Sequence, residues 1–79
     1  MSPTILILGK YRFFFNSREE RRRHVHVSSA DGTAKIWIEP AIALTDSYNL
    51  SSGELTEILR IVEENKDGFI TKWNLHFGV

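Results

Sequence analysis

Seven consecutive residues, Arg21-Arg22-Arg23-His24-Val25-His26-Val27, join the densest positive charge of the chain to its only closely spaced histidines. In an extended strand alternate side chains share a face, so both imidazoles project one way and both valines the other. An imidazole exchanges protons near neutral pH, and an arginine can hold a phosphate while stabilising developing charge. His24 and His26 are therefore the candidate catalytic pair for a histidine-dependent phosphodiesterase or ribonuclease, one as base and the other as acid. Arg21, Arg22, Arg23 and Lys35 are the candidate nucleic-acid or phosphate contacts. The plainer reading of Arg18 to Arg23 is a solvated loop.

Two histidines at i and i+2 also suit zinc or iron, provided that a third ligand joins them. Glu39, Asp31 and His76 are the residues worth naming, and none stands at a convincing spacing, so neither a metal nor a cofactor is expected. The pair is similar to the start of the His-x-His-x-His signature of histidine-triad nucleotide hydrolases. Ser28 occupies the third place there, which removes the nucleophile, and the chain is short for that fold. No glycine-rich phosphate loop, serine or cysteine triad or known nucleic-acid motif competes.

The rest of the chain has to position this stretch. Seventy-nine residues make a single domain over 1–79, and 42% hydrophobic with 25% charged residues is globular composition that argues against disorder. With no cysteine there is neither a disulfide framework nor a thiolate site, which fits a reducing cytosol. The longest apolar run near the start, Ile5 to Leu8, is far too short for a signal-peptide core or a membrane span, so a soluble, cytoplasmic protein with no membrane partner is expected. Formal net charge is zero but uneven. Residues 1–38 hold seven bases and three acids, whereas residues 39–79 hold three bases and seven acids. A basic half can approach phosphates while an acidic half faces a basic partner.

Thr4 to Leu8 and Tyr11 to Phe15 are strand-like and separated by Gly9-Lys10, a two-residue hairpin turn with glycine first. Asn16 to Arg23 is a polar loop. His24 to Ser28 forms the third strand, and a turn at Ala30-Asp31-Gly32 pairs it with Ala34 to Ile38. Trp37 falls on the side of that fourth strand away from Ala34 and Ile36, near the histidines, and Pro40 ends the strand. Ala41 to Leu44 is a candidate short edge strand, followed by a loop whose Tyr48 and Leu50 fold back on the core. After Ser51 the apolar period changes from 2 to 3.6. Ser51-Ser52-Gly53-Glu54 matches a capping box, and Leu55, Ile58, Leu59 and Val62 form one helical face. Asn65 to Gly68 interrupts it, and Phe69, Ile70, Trp73 and Phe77 resume the spacing. The fold predicted is α+β: a four- or five-stranded antiparallel β-meander over about residues 4–44, covered on one face by two C-terminal helices over about 52–64 and 67–77.

Tyr11-Arg12-Phe13-Phe14-Phe15-Asn16-Ser17, His24-Val25-His26-Val27, Ala34 to Pro40, and Glu54-Leu55 with Ile58, Asn65, Trp73, Phe77 and Gly78 together resemble a family of small bacterial proteins called domain of unknown function 4160. The resemblance spans almost the whole chain. It implies no established activity. It does imply a bacterial setting beside another small protein encoded by a neighbouring gene, in arrangements suspected of being toxin–antitoxin modules. Where the family usually has Pro-Pro before the His-Val-His, this chain has Arg22-Arg23, so any role of these arginines is its own. The leading expectation is a cytosolic binding protein, one half of such a module, touching RNA or DNA through the basic loop; its oligomeric state is not legible.

Overall fold

The structure, a computed structural model, describes residues 4–15 and 22–78. Five strands, β1 (Thr4–Leu8), β2 (Tyr11–Phe14), β3 (His24–Ser28), β4 (Thr33–Trp37) and β5 (Ala43–Tyr48), pair antiparallel in chain order, and α1 (Ser52–Glu64) and α2 (Lys66–Phe77) follow. This is the α+β meander with two helices that the change of period predicts. Gly9 sits at φ +59, the left-handed conformation that a two-residue hairpin turn asks of its first residue, and β1 pairs with β2 across it.

Alternation decides what is buried. Tyr11, Phe13 and Phe15 from β2 and its end, Val25 and Val27 from β3, and Ala34, Ile36 and Ile38 from β4 and its end turn to one side. They meet Ile58, Ile61 and Val62 of α1 and Phe69 and Trp73 of α2 in one core. Each fully buried Phe or Ile side chain contributes about 1.5–3 kcal/mol, so the aromatic contacts Phe13–Phe69 (ring centroids 5.7 Å apart) and Phe15–Trp73 (5.2 Å, edge-on) anchor the helices. The buried face of α1 centres on Ile58, Ile61 and Val62, with Leu55 and Leu59 at its flank, a small rotation from the predicted stripe.

The capping box forms as expected: Ser51 Oγ accepts from the Glu54 amide (3.1 Å) and a Glu54 carboxylate oxygen accepts from the Ser51 amide (2.9 Å). The other Glu54 oxygen accepts from Lys10 Nζ at 2.8 Å, so one carboxylate both caps α1 and ties it to the first hairpin. Lys72 Nζ donates to the Ile5 carbonyl (2.8 Å) and ties α2 to β1. Asn65 separates the helices, and Gly78 ends α2 at φ +71, its amide donating to the Asn74 carbonyl.

Two expectations fail at β5. The edge strand runs from Ala43 to Tyr48, not from 41 to 44, and Tyr48 does not fold back on the core but is 74% exposed. Leu50 does pack against the core. A bulge explains the difference. Lys35 faces Asp46 while Ile36 faces Leu44, so Thr45 is an extra residue that breaks the alternation on which the strand would have been recognised.

Gly32 also differs from its expected role. The left-handed glycines among the described residues are Gly9 and Gly78. Gly32 is instead a point of close approach: a Cβ there would overlap the Tyr48 carbonyl and come within 2.7 Å of the Asn49 oxygen. Asn49 Nδ2 donates to the Asp31 carbonyl at 2.7 Å, so the β3–β4 turn is bolted to the end of β5.

Candidate functional site

The helices cover one face of the sheet and leave the other open. Residues directly opposed in antiparallel strands share a face, so the pairing assembles rows across it. Phe14, His26, Lys35 and Asp46 form one row across β2 to β5. Arg12, Ser28, Thr33 and Tyr48 form the next, and His24, Trp37 and Ala43 a third at the sheet's end. The open face therefore holds His26 and Lys35 side by side, as well as Tyr48 and three residues that the sequence had not singled out, Arg12, Phe14 and Asp46.

Cations and rings on this face are seated on one another. The Arg12 guanidinium carbon lies 4.5 Å from the Phe14 ring centre, and Phe14 stacks on the His26 ring at 5.5 Å and 21°. Arg22 sits 4.3 Å and Lys35 Nζ 4.7 Å from the Trp37 ring centre. Such contacts are each worth about 0.5–1 kcal/mol at exposed sites. They hold long side chains in place, as do the bonds that Arg12 Nε donates to Thr4 Oγ1 (2.7 Å) and Arg22 Nε to the Glu39 carbonyl (2.7 Å).

Of the three arginines of the basic stretch, Arg22 and Arg23 are described, and they are placed differently. Arg21 lies outside the described residues. Arg22 is exposed, and its Nε donates to the Glu39 carbonyl (2.7 Å) beside Trp37. Arg23 is a clamp: Nη1 donates to Glu39 Oε1 (2.8 Å), while Nε and Nη2 donate to Asn74 Oδ1 (3.0 and 2.6 Å). The Arg23 amide adds a longer bond to the second Glu39 oxygen (3.4 Å), and these donors hold the Glu39 carboxyl below the usual carboxylate range. Arg23 thus joins the start of β3, the end of β4 and α2.

The histidines are neighbours, with ring centroids 5.2 Å apart and nearly perpendicular, yet their surroundings differ. His26 is half-buried on the open face. His24 has no exposed surface, and the rings of Trp37 and Trp73 approach it edge-on at 5.3 and 5.1 Å. Its Nδ1 lies 2.7 Å from the Arg22 carbonyl, which can only accept, so Nδ1 carries the proton. A base and an acid acting on one phosphate must both reach it. As placed, only His26 meets solvent.

Of the residues weighed as third metal ligands, Glu39 is engaged by Arg23, Asp31 stands in the β3–β4 turn, and His76 packs on Phe15 and Phe77 from α2. Among the described residues no three His, Asp or Glu come together as a metal would need. Between Phe14 and Tyr48 the open face dips into a cleft of about 250 Å³, lined by His26, Val27, Thr33, Ala34 and Lys35 and flanked by Asp46. No helix of the described residues is long and apolar enough to cross a membrane.

The family described as Domain of unknown function (DUF4160) matches residues 10–74, and the chain belongs to it. The matched segment holds β2 to β5, α1 and most of α2, and hence every row of the open face. No curated protein and no solved structure matches the chain.

Proposed function

We propose that this chain is a binding module that takes a nucleic-acid strand on the open face of its sheet, with Arg12, Arg22 and Lys35 meeting the phosphates. The observation that carries this reading is the seating of these three cations on Phe14 and Trp37, at 4.3–4.7 Å from the ring centres. A flexible cation loses conformational entropy when it grips a phosphate, and one already resting on a ring loses less. The contact thereby shifts from the basic loop to the sheet: of the residues proposed from sequence, Arg22 and Lys35 remain in it, and Arg23 supports it from behind.

Binding of this kind has a salt signature. Three neutralised phosphates on a single strand give a slope of log K against log salt of about −2, and Lys35→Ala should flatten it by about 0.7. Fluorescence anisotropy with a labelled RNA and its DNA counterpart, between low and physiological salt, measures both. Failure to bind either strand at low salt removes the reading.

A second reading concerns a protein partner. The helical half carries the acid surplus, with Glu57, Glu63, Glu64 and Asp67 all exposed, and the family resemblance suggests a bacterial, cytosolic two-protein module. Co-expression with the product of the neighbouring gene tests it, and independent elution of the two proteins would dismiss it.

A further inference from the structure

We infer that the cleft between Phe14 and Tyr48 holds one unpaired base, so that the strand taken by the sheet is single. This deepens the nucleic-acid reading above and rests on it. The cleft, at about 250 Å³, falls below the roughly 300–1,000 Å³ of pockets that enclose drug-sized ligands, and suits one planar ring system. Its two ends are aromatic. Phe14 stands on β2 and Tyr48 on β5, three strand spacings or about 14 Å apart, with His26, Val27, Thr33, Ala34 and Lys35 lining the space between them.

The two rings are not equivalent. Phe14 already has the Arg12 guanidinium and the His26 ring against it. Tyr48 leaves 74% of its surface in water, and among the described residues no ring or cation lies over it. A base offers a π-face of the kind that Tyr48 lacks, whatever its sequence, and such stacking is how single strands are held without base readout. In a duplex the bases stack on each other and present only edges and phosphates, so a duplex gives this ring nothing to stack on. The cations Arg12 and Lys35 lie on the rows that contain Tyr48 and Phe14, which places phosphate contacts beside the base. Tyr48 itself is held in place, since its carbonyl abuts Gly32 and the neighbouring Asn49 is bonded to the Asp31 carbonyl.

The test compares a 12-nucleotide single strand carrying one 2-aminopurine with its duplex, against the intact protein, Tyr48→Ala and Tyr48→Phe. Because Tyr48 is exposed, neither variant should disturb the fold. The inference expects the single strand to bind more tightly than the duplex and its 2-aminopurine emission to be quenched. Tyr48→Ala should weaken single-strand binding on the order of 10-fold and abolish the quench, while Tyr48→Phe, which keeps the ring, retains both. Equal, salt-dependent binding of both forms, indifferent to Tyr48→Ala, overturns the base site and leaves phosphate binding standing. No binding of either form at low salt overturns both.

Discussion

Arg23 separates a structural account of the basic stretch from a functional one. Replacing it by alanine removes three side-chain hydrogen bonds, two to Asn74 and one to Glu39. Buried hydrogen bonds are worth about 0.5–1.5 kcal/mol each, and exposed ion pairs about 0.2–1 kcal/mol. The Arg23 and Glu39 side chains are 28% and 36% exposed, so the lower part of each range applies, and Glu39 freed of its partner can be hydrated in place. The expected loss is about 1–1.5 kcal/mol, or roughly 4–12 °C in Tm for a domain of this size. Thermal and urea denaturation should show it, with an unchanged m-value because the exposed surface on unfolding is the same. Asn74→Ala should be strongly non-additive with it, since both variants break the same bonds. RNA affinity measured well below the lowered Tm should change less than about twofold, whereas a phosphate contact would lose salt slope as Lys35→Ala does. An Arg23→Ala protein that melts within about 2 °C of the parent, yet binds RNA with a flatter slope, would refute the clamp and restore the expectation drawn from sequence.

Gly32→Ala forces the β3–β4 turn away from β5 and should cost about 2 kcal/mol or more by denaturation, with weakened single-strand binding because Tyr48 moves; an unchanged midpoint would contradict the close approach. Glu54 is held at a pKa of about 2, against an ordinary value of 4.5, by Lys10 and then by the Ser51 amide. A depressed carboxylate stabilises the fold above its unfolded pKa and loses that contribution as pH falls, here from about 4.5 down through about 2, so the stability difference between the parent and Glu54→Gln should be full at pH 6 and vanish near pH 2. His24→Ala opens a hole between Trp37 and Trp73 and should cost about 2–4 kcal/mol. Were His24 instead half of an acid–base pair, the same substitution would leave stability intact and abolish cleavage of an RNA substrate in a gel assay.

What was legible in the sequence follows from which signals are local. The capping box at Ser51 and Glu54, the Gly9-Lys10 turn and the periodic apolar residues of both helices act over a few positions, and each appears where expected. The site needed pairing information. Tyr11 to Phe15 is aromatic or basic at every position, so nothing in the run itself says that Arg12 and Phe14 face outward while Tyr11, Phe13 and Phe15 face the core. Only the register against His26 and Ser28 reveals it, although the expected common face of the two histidines would have implied it once β2 was set beside β3. Arg23 could not be told from Arg22 by type or position, because its partners Glu39 and Asn74 are 16 and 51 residues away. The β5 bulge hid Asp46 and Tyr48 for a different reason, since one added residue reverses which neighbours share a face.

An antiparallel sheet can leave one face to water, and the usual result is a polar surface. Here that face carries Phe14, Trp37 and Tyr48 instead. Two of these rings are covered from within the chain, Phe14 by Arg12 and His26, and Trp37 by Arg22, Lys35 and the edge of His24. If the rings served only to stiffen the sheet, Tyr48 would be expected to have a similar neighbour, and Lys35, opposite Asp46 one row away, is close enough in register to have supplied one. It rests on Trp37 instead. The ring on the edge strand is thus the one for which no described residue provides a partner, although the backbone beneath it is fixed by the close approach of Gly32 and by the Asn49 bond to Asp31. On the proposed reading, a held position with an unstacked ring beside seated cations contributes little to folding and has its largest effect when a nucleic-acid base stacks on it.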